Sequence, residues 1–250
     1  MSLNFDEVGD PIALIKGGKK DGEIIYVDRD EEIDGYDQMN VGKADLVPLI
    51  NPNSRDVAYV AGPAGSGKST YTSKLIKSFC QIFPDREVYM FCRTDIEDDP
   101  AYKGRGINQI RIDESLIEHP IDIESDIPKG SMVVFDDTST VNNKKIKTAI
   151  IDLMMDLMEC GRKLDLYMVM TNHLVNPTEK ALGRTIMNEM KSFTFFHRSG
   201  SFHQIKYCLK TYFGMSNKDI DAIIKLPGRW VTVFKNFPMV LMFQHGVYQL

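Results

Sequence analysis

The sequence predicts an α/β fold in which helices flank a mostly parallel sheet. From residue 55 onward, short apolar runs alternate with amphipathic helical patterns, and this alternation is typical of that fold class. A glycine-rich segment joins the first apolar run to the first helical pattern. The last two apolar runs are separated only by a short turn, which predicts an antiparallel hairpin at one edge of the sheet. The 250 residues are 43% hydrophobic and 26% charged, which excludes a disordered or fibrous chain.

Five short apolar runs predict strands that are buried on both faces: Val57–Ala61, Glu87–Cys92, Met132–Phe135, Leu166–Met170 and Phe193–Phe196. A helix is expected to begin near Gly67, and a second is predicted by the apolar stripe over residues 146–158. Asn142 or Asn143 is expected to cap the second helix, and Gly161 to end it. Ser216 and Asp219 form a predicted capping box before a third helix. The closing hairpin is predicted from Trp230–Lys235 and Met239–Gln244.

The first fifty residues differ from the rest in charge and pattern. Residues 1–56 hold 13 acidic and 6 basic residues, whereas residues 191–250 hold 2 acidic and 8 basic residues. A glycine-rich turn over residues 17–22 predicts a hairpin of Ile12–Ile15 with Glu23–Val27, followed by an acidic loop over 28–34. We therefore expect an acidic extension over residues 1–50 and a nucleotide-binding domain over residues 51–250.

Residues 62–69 match G-x-x-x-x-G-K-[ST] without a mismatch, between a predicted strand and a predicted helix. In this P-loop motif, glycines let backbone N–H groups surround a phosphate, and the helix N-terminus adds partial positive charge. Lys68 is expected to contact the β- and γ-phosphates of ATP, and the Ser69 hydroxyl to bind Mg²⁺. The predicted nucleotide-binding residues are Gly62, Pro63, Ala64, Gly65, Ser66, Gly67, Lys68, Ser69 and Thr70.

Two acids follow the apolar run at Met132–Phe135. Asp136 is expected to hold the Mg²⁺, directly or through a water molecule, and Asp137 to polarise the water that attacks the γ-phosphate. A turn or helix cap is the simpler alternative for such a pair. The run at Leu166–Met170 leads into Asn172 and His173, either of which would lie near the γ-phosphate if parallel strands end together.

Other site classes lack their required residues. The sequence has no N-K-x-D segment of a GTPase and no H-E-x-x-H metalloprotease motif. The four cysteines show no C-x-x-C spacing, so we expect reduced thiols and neither a zinc site nor a redox pair. His197 and His203 are interpreted as surface or DNA-contacting residues. No apolar run reaches the length of a membrane span, and the N-terminus lacks a secretory pattern.

The segments GPAGSGKST, VVFDD and GRKLDLYMVMTNH together resemble the genome-packaging ATPases of nucleocytoplasmic large DNA viruses, which are similar to the FtsK–HerA superfamily. The resemblance covers roughly residues 46–240 and implies a RecA-like P-loop NTPase fold. It further implies a motor that hydrolyses ATP and moves double-stranded DNA into a viral capsid. A hexameric or pentameric ring, a capsid or portal partner, and an arginine supplied by one subunit to its neighbour's γ-phosphate are also implied. The preferred arginines are Arg184 and Arg162, with Arg105 and Arg198 left open.

The sequence departs from the family pattern in two respects. The acidic N-terminal section carries no family motif, and the usual glutamine of the sensing strand is replaced by Asn172 or His173. The alternatives are a small-molecule kinase and an ATP-binding viral assembly protein with little turnover. The expected location is the cytoplasm of the host or a viral factory, or the virion.

Basic residues interleave with aromatic ones in a possible DNA contact: Arg198, His203, Lys206 and Lys210 among Phe202, Tyr207 and Tyr212. Phe193, Phe195, Tyr207 and Phe213 are instead expected in the core.

Overall fold

The computed structural model of the chain describes residues 2–29, 38–175, 180–236 and 238–250. The strands are β1 (Leu3–Asn4), β2 (Asp10–Lys16), β3 (Ile24–Val27), β4 (Gln38–Asn40), β5 (Asp45–Pro48), β6 (Val57–Ala61), β7 (Val88–Cys92), β8 (Asn108–Arg111), β9 (Met132–Phe135), β10 (Tyr167–Asn172), β11 (Ser192–Phe195), β12 (Val231–Phe234), β13 (Val240–Phe243) and β14 (Gly246–Gln249). The α-helices are α1 (Lys68–Ile82), α2 (Ser115–Glu118), α3 (Lys144–Cys160), α4 (Lys180–Glu189), α5 (Phe202–Phe213) and α6 (Asn217–Ile224).

Ten of these strands form one sheet in the order β4-β14-β13-β12-β11-β6-β10-β9-β7-β8. The six strands from β11 to β8 run parallel, and β12, β13, β14 and β4 continue the sheet antiparallel. The predicted fold class, with its antiparallel C-terminal edge, is confirmed. β10 lies between β6 and β9, so the carboxyl ends of these three strands meet at one edge. That edge is where a parallel sheet binds its ligands.

All five predicted buried strands are present, with ends within two residues of the expected ones. Asn143 caps α3 by accepting hydrogen bonds from the backbone N–H groups of Lys145 and Ile146. The capping box of Ser216 and Asp219 at the start of α6 is also confirmed. The strands β4 and β8 were not predicted, because each has only three or four residues and few apolar ones.

The N-terminal hairpin is confirmed as β2 paired with β3, within a four-stranded sheet of order β1-β3-β2-β5. The apolar side of this sheet shares a buried cluster with α1 and with β6. The first fifty residues also supply β4, which pairs with β14 at the edge of the ten-stranded sheet. Of the predicted acidic loop over 28–34, residues 30–34 lie outside the described residues.

Two burial predictions for the C-terminal third are wrong. Tyr207 was expected in the core, but its side chain is 54% exposed because it lies on the outer face of α5. His197 was expected at the surface, but it is buried, and its Nε2 lies 3.0 Å from the carbonyl oxygen of Leu226. Burial lowers the pKa of His197. All four cysteines are free, and within the described ranges no helix is both long and apolar enough to cross a membrane.

Candidate functional site

The phosphate loop connects the end of β6 to the first turn of α1. Gly65 and Gly67 have φ angles of +74° and +111°, a left-handed region that residues with a side chain rarely adopt. Gly67 is the N-cap residue of α1 and supplies no side-chain cap, and the first turn contains no acidic residue. Because the first N–H groups of a helix lack partners within it, this loop presents free donors and positive potential to an anion.

Phe196 lies beneath the phosphate loop and fixes its shape. A Cβ atom at Gly62 would lie 2.7 Å from both Phe196 Cδ2 and Ser66 Oγ, so only glycine fits there. The Ser66 hydroxyl is buried without a hydrogen-bond partner among the described residues. A buried polar atom of this kind is expected to have a partner, and the oxygen of a bound phosphate would supply it. The loop therefore fits the triphosphate of a nucleotide.

Thr171, at the end of β10, joins the two acids that follow β9. Its hydroxyl donates to Asp136 Oδ1 at 2.7 Å and accepts from the backbone N–H of Asp137 at 2.9 Å. Asp137 has a φ of +47°, so the chain turns sharply after β9. Sequence reasoning missed Thr171, although it lies one position beyond the paired residues Met170 and Phe135. The register of β10 against β9, which only the structure gives, brings Thr171 beside the two acids.

The Asp137 carboxylate lies between a lysine and a histidine. Its Oδ1 is 3.6 Å from the Nζ of Lys68, and its Oδ2 is 3.1 Å from Nε2 of His173. Lys68 is only 5% exposed, so its ammonium group lies in a restricted environment beside the phosphate loop. The structure thus brings Lys68 and Asp137, both predicted from motifs, into one site.

Asn172 and His173, the two candidates for a sensing residue, occupy different positions. The Asn172 Oδ1 accepts the backbone N–H of Leu174 at 3.0 Å, and the Leu174 carbonyl accepts the Tyr59 hydroxyl at 2.8 Å. Its backbone carbonyl accepts the N–H of Gly62 at 2.9 Å, which links β10 to the phosphate loop. His173 instead contacts Asp137 directly. Of the two side chains, His173 is therefore the one placed among the predicted catalytic groups.

Tyr102 is a second site residue that sequence reasoning missed. Its hydroxyl donates to Asp136 Oδ1 at 3.2 Å. Tyr102 is 1% exposed and lies in the connection between β7 and β8. No motif marks it, because it approaches the site from a loop whose path depends on the tertiary fold.

The two predicted metal ligands are Ser69, in the first turn of α1, and Asp136, which accepts a hydrogen bond from Tyr102. Burial, reinforced by the neighbouring Asp137 carboxylate, raises the pKa of Asp136, and hydrogen bonds from Thr171 and Tyr102 oppose this shift. A hydroxyl and a carboxylate are oxygen ligands that suit Mg²⁺, which usually completes its shell with phosphates and water. The described residues contain no cluster of three or more His, Cys, Asp or Glu side chains suited to a metal.

The arginines considered for a neighbour's nucleotide lie outside this group. Arg162 is in the turn after α3, near Arg55 and at the amino end of β10, on the edge opposite the phosphate loop. Arg184 lies on α4 and acts electrostatically on the Tyr212 hydroxyl of α5.

Comparison with known proteins places the chain among viral proteins. No family model matches the sequence. It is 35% identical over 244 residues to the uncharacterized protein V3 of the Sputnik virophage, covering 98% of this chain and 97% of that protein. The chain belongs to the family of this virophage protein. Nearly complete coverage of both sequences means that the N-terminal section belongs to the family as well.

Solved structures with the same fold include DNA-packaging proteins of archaeal viruses. The DNA-packaging ATPase B204 of Sulfolobus turreted icosahedral virus superposes with a TM-score of 0.53 at 11% identity, covering 79% of this chain and 98% of B204. The genome packaging NTPase B204 of Sulfolobus turreted icosahedral virus 2, in complex with sulfate, gives 0.51 at 10% identity, covering 80% and 97%. The pCW3 conjugation coupling protein TcpA gives 0.50 at 15% identity, covering 96% and 77%. The predicted resemblance to packaging ATPases is thereby confirmed in the fold.

Proposed function

We propose that this protein is an ATP-hydrolysing motor that moves double-stranded DNA into a viral capsid. The observation that carries the proposal is the arrangement of Lys68, Asp136 and Asp137 around a phosphate loop at the carboxyl edge of the sheet. The fold shared with the DNA-packaging ATPase of Sulfolobus turreted icosahedral virus supports the choice of DNA as the cargo.

Hydrolysis follows from the positions of these side chains. Asp137 accepts a proton from a water molecule as its oxygen bonds to the γ-phosphorus and the bond to the β–γ bridging oxygen breaks, releasing ADP and phosphate. Lys68 turns from Asp137 to the β- and γ-phosphates when ATP binds. Ser69 and Asp136 would hold Mg²⁺, which neutralises charge on the phosphates when bound. His173, in contact with Asp137, is the residue that we propose responds to loss of the γ-phosphate.

The cavities favour this motor over the small-molecule kinase. A kinase needs a second pocket beside the γ-phosphate for its acceptor, but the cavity against Thr171 and Asn172 measures about 20 Å³. This volume is far below the roughly 300–1,000 Å³ of a small-molecule pocket. The larger cavities of about 570 and 640 Å³ lie between α2 and α3 and beside the N-terminal hairpin, and no phosphate-loop residue lines them.

The outer face of α5 is the proposed DNA contact. Phe202 and Tyr207 are 43% and 54% exposed, and Lys206 Nζ lies 5.7 Å from the centre of the Phe202 ring. No acidic residue occurs in α5, and Lys210 is exposed in its last turn. Aromatic rings and lysines on one face suit a nucleic-acid backbone. The connection from Phe196, under the phosphate loop, leads directly into this helix.

A motor of this kind is proposed to act as a ring of six or five copies that docks on a capsid or portal component. One subunit would then supply Arg162 or Arg184 to the γ-phosphate of its neighbour. Arg162 suits this role because it lies on the edge away from its own phosphate loop. The proposed site of action is the host cytoplasm or viral factory, with retention in the virion as a further possibility.

Nucleotide binding and phosphate release by three variants test the hydrolytic part of the proposal. Lys68→Ala is expected to abolish hydrolysis, because the charge that stabilises the transferred phosphoryl group is lost. Asp137→Asn is expected to bind ATP within a fewfold of the unmodified protein but to turn over roughly 10²- to 10⁴-fold more slowly. Asp152→Asn on the exposed surface of α3 is the matched control and should leave the rate unchanged. Hydrolysis by Asp137→Asn at the unmodified rate would show that Asp137 is not the base.

A further inference from the structure

We propose that Tyr102 is a positioning residue that holds Asp136 in the orientation that binds Mg²⁺. The inference rests on the proposed function, because it concerns the metal of the same nucleotide site. It assigns a role to the connection between β7 and β8, which brings a buried hydroxyl to the predicted metal ligand Asp136.

The Tyr102 side chain is held firmly in this position. Its ring is buried, and its backbone N–H donates to the carbonyl of Asp99 at 3.0 Å. The start of the same connection is fixed by Gln109 of β8, which accepts from the N–H of Ile96 and donates to the carbonyl of Thr94. A hydroxyl carried on a fixed ring can orient the groups that it touches.

The direction of this hydrogen bond follows from the chemistry of the two groups. An ionised carboxylate only accepts, so the single hydrogen of the Tyr102 hydroxyl goes to Asp136 Oδ1 at 3.2 Å. The Tyr102 hydroxyl thus orients the carboxylate through Oδ1 and does not contact Oδ2.

Thr171 completes the orientation of Asp136. Its hydroxyl donates to the same Oδ1 atom, so two donors fix one carboxylate oxygen. The other oxygen, Oδ2, accepts no hydrogen bond from the described residues. It is therefore the oxygen that would face Mg²⁺ or a water molecule bound to it. Because Thr171 remains when the Tyr102 hydroxyl is removed, the metal site should be weakened rather than destroyed.

Mg²⁺-dependent nucleotide binding tests this role without measuring hydrolysis. A fluorescent ADP analogue at fixed concentration is titrated with MgCl₂, using the unmodified protein, Tyr102→Phe and Tyr89→Phe. Tyr89→Phe is the matched control, since its hydroxyl also bonds a carboxylate, that of Glu87, but lies at the surface away from the site. Tyr102→Phe keeps the buried ring, and a thermal unfolding curve verifies that each variant is folded.

The expected result is a roughly tenfold higher Mg²⁺ concentration for half-maximal binding by Tyr102→Phe, with no change for Tyr89→Phe. Binding of the analogue in EDTA should be the same for all three proteins. Unchanged or tighter Mg²⁺ binding by Tyr102→Phe would overturn the assignment. If Tyr102→Phe shows the expected loss of Mg²⁺ affinity but the unmodified protein hydrolyses no ATP, the assignment stands and the proposed function is contradicted instead.

Discussion

At the scale of single residues, the site is held together by hydrogen bonds and ion pairs between side chains that follow the ends of three neighbouring strands, β6, β10 and β9. Lys68, Ser69, Asp136 and Asp137 could be predicted because each has a fixed place in a sequence motif. Thr171 and Tyr102 could not, since their roles arise from which atoms the fold brings within hydrogen-bond distance. The choice between Asn172 and His173 likewise required the structure, because β10 ends at Asn172 and only the fold shows that His173 contacts Asp137.

The pKa of Asp56, just before β6, predicts how the stability of the fold depends on pH. Burial raises the pKa of Asp56 to about 6, partly opposed by a hydrogen bond from the Asn51 backbone and by Lys191. A carboxyl whose pKa is higher in the folded chain stabilises the fold below its unfolded pKa of 3.8, and this contribution is lost as the pH rises through about 6. The ionised form of Asp56 is therefore a cost to the fold at neutral pH.

Thermal unfolding of Asp56→Asn between pH 4 and pH 7.5 measures this effect. Asparagine keeps an oxygen that can accept the Asn51 N–H but never ionises. The Tm of Asp56→Asn minus that of the unmodified protein should increase as the pH rises from 4 to 7. A constant difference over that range would show that the pKa of Asp56 is not raised in the folded chain.

At the scale of elements, most of the ten-stranded sheet was predictable and its edges were not. The strands β6, β9 and β10 are buried on both faces, so their sequences are continuous apolar runs. The edge strands β8 and β4 have exposed or half-buried positions and carry no such run. The antiparallel hairpin of β12 and β13 was recognisable from its short connecting turn.

Helix α5 carries a prediction of its own, because its exposed face combines lysines with aromatic rings. Reversing charge with Lys206→Glu and Lys210→Glu should weaken DNA binding at least tenfold at low salt and flatten its dependence on salt. ATP hydrolysis without DNA should remain, since neither lysine contacts the phosphate loop. The same charge change at Lys77 and Lys129, both exposed away from α5, is the control. Equal losses in both double variants would assign the effect to net charge rather than to this face.

At the scale of the whole molecule, the fold brings both the hydrolytic residues and the α5 face to one end of the chain's core. Phe196 touches the phosphate loop, and its carbonyl accepts the N–H groups of Ser199 and Gly200 in the turn before α5. A short, packed path therefore connects the phosphate loop to the proposed DNA contact. In the proposed ring, this path would continue to the neighbouring subunit.

Mixing variants tests whether the arginine acts between subunits. If Arg162 or Arg184 serves a neighbour, its alanine variant should be inactive alone and recover activity when mixed with Lys68→Ala. The recovery arises because the intact phosphate loop of the first variant meets the intact arginine of the second. Recovery in only one of the two mixtures identifies the arginine, and no recovery in either would rule out both.

The most direct test of the central claim is the rate of ATP hydrolysis at fixed salt, with and without double-stranded DNA, using Lys68→Ala as the blank. Lys68→Ala lacks the lysine of the phosphate loop. The rate of the unmodified protein minus that of Lys68→Ala therefore reports hydrolysis by this protein. We predict that DNA stimulates hydrolysis and that raising the salt concentration removes the stimulation. A rate that DNA leaves unchanged in the folded, assembled protein would contradict the motor, and phosphate transferred to a small acceptor would identify a kinase instead.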